Sequence, residues 1–191
     1  DVTGVLALGA GDITTAGTAS TGMYVFHTGL AGDVFAQMDG GSITTNGLRA
    51  PGILGSIFNT AGAGSATVLM TGGTITTTEA GGVGIYSYNR GFGDATTTMT
   101  GGSITTDGQN SRGVIAQVVN ATSAGAATVT VTGGSIETNG IAAHAVRAYS
   151  ASLGAATATV SGGEITTTGD GAAAVYGYIQ NADNTEDATA T

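Results

Sequence analysis

Apolar residues return along this chain at fixed offsets from an isoleucine found at 13, 43, 75, 104, 136 and 165, in steps of 30, 32, 29, 32 and 29 residues. Five positions before it stand Leu8, Met38, Met70, Met99, Val131 and Val160, and two earlier stand Leu6, Ala36, Val68, Thr97, Val129 and Ala158. Two positions after it a threonine stands every time, at 15, 45, 77, 106, 138 and 167. Ten after it come Met23, Ile53, Ile85, Val114, Val146 and Val175; twelve after it the residues are mostly small. The local period is two, the alternation of a strand with one buried face. Each repeat therefore predicts three strands: one before a glycine pair, a short Ile-Thr-Thr strand, and a third centred on the aliphatic at +10.

Turn residues separate these strands. Gly40-Gly41, Gly72-Gly73, Gly101-Gly102, Gly133-Gly134 and Gly162-Gly163 mark a first corner, and Asn46-Gly47, Asp107-Gly108 and Asn139-Gly140 a second. In an isolated strand pair Asn-Gly suggests a hairpin. The long-range period overrules that, because like residues must stack on like residues. From −9 to +10 the spacing never changes, and all length variation falls in a third corner, as in residues 59–64, 89–93 and 120–125.

The fold class this predicts is all-β: a right-handed, three-strand-per-coil parallel β-helix (solenoid) of about six coils. The repeats fall near 4–33, 34–65, 66–94, 95–126, 127–155 and 156–187. Right-handedness follows from the crossover rule. Coils one strand spacing apart rise by about 29 Å over the array. The threonines at +2 are expected to chain hydroxyl bonds along the axis. Residues 1–8 read as the closing strand of an earlier coil, and residues 186–191 match 93–98. Neither face carries a polar cap, so a single uncapped segment of a longer solenoid is expected.

Composition agrees with a thin, layered core. The chain has 35 glycines, no cysteine, no tryptophan and 9% charged residues. Disulfide staples and thiolate metal sites are thereby excluded, and the lack of cysteine suits an exported protein. A net charge of −9 with only four arginines argues against nucleic-acid partners and anionic membranes. No apolar run approaches the ~20 residues of a membrane-spanning helix.

Function must then come from the outer faces. All six tyrosines stand at +11 or +13 on the long strand. The candidate partner-binding face is Tyr24, Phe26, Tyr86, Tyr88, Arg147, Tyr149, Tyr176 and Tyr178, since exposed aromatic patches mark contact surfaces. Strand propensity alone also favours aromatics there. A second face at −1 and +1 carries Thr-x-Thr pairs, interrupted by Asp12, Glu137 and Glu164. Such an array is similar to ice-binding surfaces.

Catalytic chemistry has no constellation to rest on. His27 and His144 sit in different repeats at different offsets, and Glu137 with Glu164 reads as solvated surface charge. Gly-Gly is followed by Ser-Ile or Thr-Ile instead of the calcium-binding nonapeptide, and no phosphate loop occurs. No catalytic, cofactor or metal residue is nominated.

The repeated Gly-Gly-Ser-Ile-Thr-Thr-(Asn/Asp)-Gly phrase, followed by Gly-(Val/Ile) and an Ala/Thr-rich strand, resembles the passenger domains of bacterial autotransporters of the type V secretion class. The resemblance covers the whole chain. It implies an extracellular Gram-negative protein, on the cell surface or secreted, tethered through an outer-membrane barrel outside this sequence. It implies adhesion, aggregation or host-receptor contact, with a host surface protein or glycan, or self-association between cells, as partner. A rigid spacer presenting another domain is the alternative. An ice-binding surface and a polysaccharide-lyase-like fragment rank behind both.

Overall fold

A computed structural model of the chain describes residues 4–191; the part of the expected closing strand at residues 1–3 lies outside them. Nineteen strands and no helix make up these residues. They form three parallel sheets of seven, six and six strands, in which each strand is hydrogen-bonded to its equivalents one coil away. The protein is a parallel β-helix with three strands per coil and about six turns. In the third coil the strands are Ala66–Met70, Thr74–Thr77 and Val83–Asn89.

The register is the one the repeat dictates. Ile13 pairs with Ile43, Ile43 with Ile75, Ile75 with Ile104, Ile104 with Ile136 and Ile136 with Ile165. Ala188–Ala190 adds a seventh strand to the first sheet, with Ala188 opposite Ala156. The third strand reaches further than the expectation of a strand centred on +10. It starts at +8 and ends at +14 in the second, third and fourth coils, as Pro51–Ile57, Val83–Asn89 and Arg112–Val118.

Inward positions of all three sheets meet in one core. Met38, Met70 and Met99 form one fully buried ladder and Ile43, Ile75, Ile104 and Ile136 another. Burying each side chain contributes about 1.5–3 kcal/mol. Thr97 is the polar rung of its ladder. It stays satisfied because its hydroxyl donates to the Ile115 carbonyl at 2.6 Å and meets the Ser87 hydroxyl at 2.7 Å across the core. Asn89 is also fully buried, and its amide holds the Gly64 and Asp94 carbonyls, both at 2.9 Å.

The isoleucine ladder interlocks with the glycines at +9. A Cβ added to Gly22, Gly52, Gly84 or Gly113 would fall on Cγ2 of the isoleucine in the next coil. The Gly-(Val/Ile) step is therefore a socket for the isoleucine above it.

The +2 threonines depart from the expected chain of hydroxyls along the axis. Thr15, Thr45 and Thr138 each donate to a carbonyl five residues on, those of Ser20, Ala50 and Ala143, at 2.7, 2.8 and 2.7 Å. The next threonine lies a full strand spacing of about 4.8 Å away, whereas the second corner folds a carbonyl back within reach. The hydroxyls of Thr77 and Thr106 are buried with no partner. Thr106→Val is accordingly expected to leave stability unchanged or raise it by up to about 1 kcal/mol, and Thr138→Val to lower it by about 1 kcal/mol. Paired urea titrations of the two variants check the opposite signs.

Candidate binding face

The outer side of the third sheet is built by the same alternation that builds the core. With +10, +12 and +14 inward, +11 and +13 point out, and parallel pairing stacks them into two columns. One column runs Tyr24, Leu54, Tyr86, Ile115, Arg147, Tyr176; the other runs Phe26, Ser56, Tyr88, Gln117, Tyr149, Tyr178. All eight residues singled out from the sequence lie on this face.

The columns are not uniformly open to solvent. Tyr24, Phe26 and Tyr178 are 40%, 54% and 40% exposed, whereas Tyr86, Tyr88, Arg147, Tyr149 and Tyr176 are half-buried. Ser56 lies between Phe26 and Tyr88, and Ile115 between Tyr86 and Arg147; both are buried. Large side chains on flanking strands roof over the smaller ones, as cross-strand pairs on a pleated sheet do.

Ring contacts tie the face into two clusters. Phe58, at +15, was not singled out from the sequence. Its ring lies 6.5 Å from Tyr24, 6.2 Å from Phe26 and 6.4 Å from Tyr88. In the other cluster Tyr176 stacks on His144 at 4.7 Å and on Tyr178 at 6.0 Å, and Tyr149 lies 5.8 Å from Tyr178. The Arg147 guanidinium sits 4.8 Å over the Tyr149 ring and 5.8 Å from the Tyr176 ring.

Between the second corner and this sheet runs a groove of about 740 Å³, with Arg49, Arg112, Arg147, Tyr86, Ile115 and Gln117 among its lining residues. Arg112 and His144 occupy +8, three residues before the first of the columns read from the sequence. The third strand of the fourth coil begins at Arg112, which pairs with Val83, whereas His144 lies two residues before its own strand, Val146–Ser150.

Electrostatics on the face follow from burial and from the two neighbouring cations. Burial pushes the Tyr86 phenol far above its ordinary value, with Tyr88 adding to the shift, so Tyr86 stays un-ionised. Its hydroxyl donates to Gln117 Oε1 at 2.6 Å. The Tyr149 hydroxyl donates to Gln180 Oε1. Burial, then the Arg112 and Arg147 charges, lower the His144 pKa, and the ring is neutral at pH 7. Its Nδ1 accepts a hydrogen bond from the Ala173 amide at 3.0 Å. Burial and the Arg147 charge likewise lower the Arg112 pKa.

Other outward features are bound up in the scaffold. On the second sheet Ser42 donates to Asp12 at 2.5 Å and Ser103 to Thr74 at 3.2 Å. Glu137 pairs in register with Thr166 and Glu164 with Ser135, so the two carboxylates are diagonal neighbours. The long third corners of the second, fourth and sixth coils reach over the intervening short ones. Asn120 Nδ2 donates to the Thr60 carbonyl at 3.1 Å and Asn181 Nδ2 to the Ala121 carbonyl at 2.9 Å, each across 60 residues. His27 and His144 sit in the first and fifth coils, and no three His, Asp or Glu side chains gather into a metal-binding group among the described residues. Comparison with protein-family models, with curated proteins and with solved structures finds no match to this chain.

Proposed function

We propose that the chain is a non-enzymatic segment of a bacterial surface protein of the autotransporter-passenger kind, and that it makes adhesive contact through the outer face of its third sheet. The observation that carries this reading is the collection of all six tyrosines, with Phe26 and Phe58, on that one sheet. The core does not need them there, because the inward ladders are complete without them. Aromatic side chains give large contact area at low entropy cost, and they dominate interface energetics.

The test is adhesion and clustering of beads coated with residues 1–191 on bacteria and host cells. Tyr24, Phe26 and Tyr178 are the positions to change, because their exposure separates contact from folding. Tyr24→Ser, Phe26→Ser and Tyr178→Ser together are expected to bring adhesion to background with an unchanged melting temperature. Adhesion that survives the triple change sinks the reading. The second reading, a rigid spacer presenting another domain, is favoured by the unbroken register of all three sheets. It predicts that beads coated with the unaltered chain never adhere.

A further inference from the structure

We propose that the groove between the second corner and the third sheet binds a carboxylated polysaccharide, with a sugar ring on Tyr86 and carboxylates on Arg112 and Arg147. The proposal rests on the reading of this face as a binding surface and names the class of ligand it takes.

Charge distribution is the first ground. The chain carries 13 acidic residues against four arginines. Three of the four, Arg49, Arg112 and Arg147, nevertheless line this one groove. The strands of the third sheet contain no Asp or Glu at all. The Arg147 charge acts on Arg112 across this groove, and no internal carboxylate stands among the groups acting on Arg112. Gathering cations without a counter-ion costs free energy, which an incoming anion would recover.

The guanidiniums are also held ready. Arg147 is fixed over the Tyr149 and Tyr176 rings, and Arg112 Nη1 donates to the Asn110 carbonyl at 3.1 Å. The Nε atoms of both side chains are buried with no hydrogen-bond partner. A planar, pre-oriented guanidinium matches a carboxylate with two parallel N–H···O bonds.

The shape selects a polymer. The groove runs from Thr18 in the first coil to Arg147 in the fifth, about 19 Å at one strand spacing per coil. It is a trough along the helix axis lined by the Tyr86 ring, by the apolar Pro51, Val83 and Ile115, and by the Gln109 and Gln117 amides. One aromatic ring for a sugar face, two amides for hydroxyls and successive guanidiniums two coils apart or less for recurring carboxylates together fit an acidic polysaccharide. The net charge of −9 opposes a nucleic acid, with a phosphate at every step, more strongly than a glycan with a carboxylate on alternate sugars.

The experiment measures binding of hyaluronate, carboxyl-reduced hyaluronate and poly-glutamate to the full chain and to Arg112→Gln/Arg147→Gln, Arg112→Lys/Arg147→Lys and Arg90→Gln. Hyaluronate should bind the unaltered chain and Arg90→Gln equally. The glutamine pair should weaken it by about ten- to a hundred-fold, and carboxyl reduction by at least about ten-fold. The lysine pair keeps the charge and loses the fork. It should fall between the two, and it decides the matter if the glutamine pair does not fold. Equal binding of reduced hyaluronate, equal binding of poly-glutamate, or no binding of hyaluronate overturns the proposal. Bead adhesion run in parallel separates the two readings. Adhesion lost in the Tyr24/Phe26/Tyr178 variant and kept in the arginine variants retains the binding face and removes the acidic glycan. No adhesion by the unaltered chain removes both.

Discussion

Ile104→Ala is expected to lower stability by about 2–5 kcal/mol, moving the urea midpoint down by roughly 1–2 M. The side chain is 1% exposed and stands between Ile75 and Ile136, with its Cγ2 in the socket left by Gly84. Truncation leaves a void that the fold cannot close. The coils on either side are held apart by backbone bonds such as Ser103 N–H to the Gly73 carbonyl at 2.9 Å and Ser135 N–H to the Gly102 carbonyl at 3.0 Å. The cost therefore belongs in the upper part of the range, because it depends on how far a site can collapse. Ile165 occupies the same rung position but is only half-buried. Ile165→Ala should cost less than half as much. Equal losses at 104 and 165 would mean that burial does not govern this ladder. Midpoints are the quantity to compare, since repeat arrays depart from two-state unfolding.

Gly102→Ala is expected to cost about 2–4 kcal/mol, while Gly81→Asn changes stability by no more than about 0.5 kcal/mol. Both glycines have positive φ, +86° and +73°. The difference lies in what surrounds them. A Cβ on Gly102 would lie 2.6 Å from Met70 Cε, 2.7 Å from the Gly73 carbonyl oxygen and 2.9 Å from the Gly72 carbonyl carbon. Two of those atoms are backbone of the adjacent coil and cannot move without parting the sheet. A Cβ on Gly81 meets nothing nearer than 3.1 Å, and that neighbour is the flexible Arg49 side chain. The repeats carry the same message. At the position of Gly102 every coil has glycine. At the position of Gly81 the other coils have Ala19, Arg49, Asn110, Ala142 and Gly171, all left-handed. Comparable losses for the two variants would make backbone strain the governing cost and the close approach of coils irrelevant.

These glycines show where the sequence was legible and where it was not. Gly-Gly and Asn-Gly were both readable as corners. In the Asn-Gly corner the residue that turns left-handed is two positions later, as at Arg49 and Asn110. Gly47, Gly108 and Gly140 are there because a Cβ would strike the backbone of the preceding coil. The third coil has Glu79 at that place, which nothing in the structure explains. The aromatic columns were legible because outward positions follow inward ones by strict alternation. Phe58, Arg112 and His144 were not: Arg112 enters only because its strand extends to +8, and Phe58 and His144 lie just beyond a strand's end and start and join the face through ring contacts with Tyr24, Phe26, Tyr88 and Tyr176.

The sequence by itself determined the coil, its period, its register and the identity of each inward ladder. A 29–32-residue repeat with unvarying internal spacing permits only one stacking in which like residues meet. Tertiary structure decided what a one-dimensional pattern does not contain. It turned Thr15, Thr45 and Thr138 toward carbonyls within their own corners and left Thr77 and Thr106 without a partner, roofed Ser56 and Ile115 with their larger neighbours, and joined alternate third corners across the short ones. It also brought Arg49, Arg112 and Arg147 from three coils and three different offsets into one trough. Periodicity specifies which residues share a face. Distances between unlike positions on different coils depend on corner geometry and strand length, and those exist only once the chain has wound on itself.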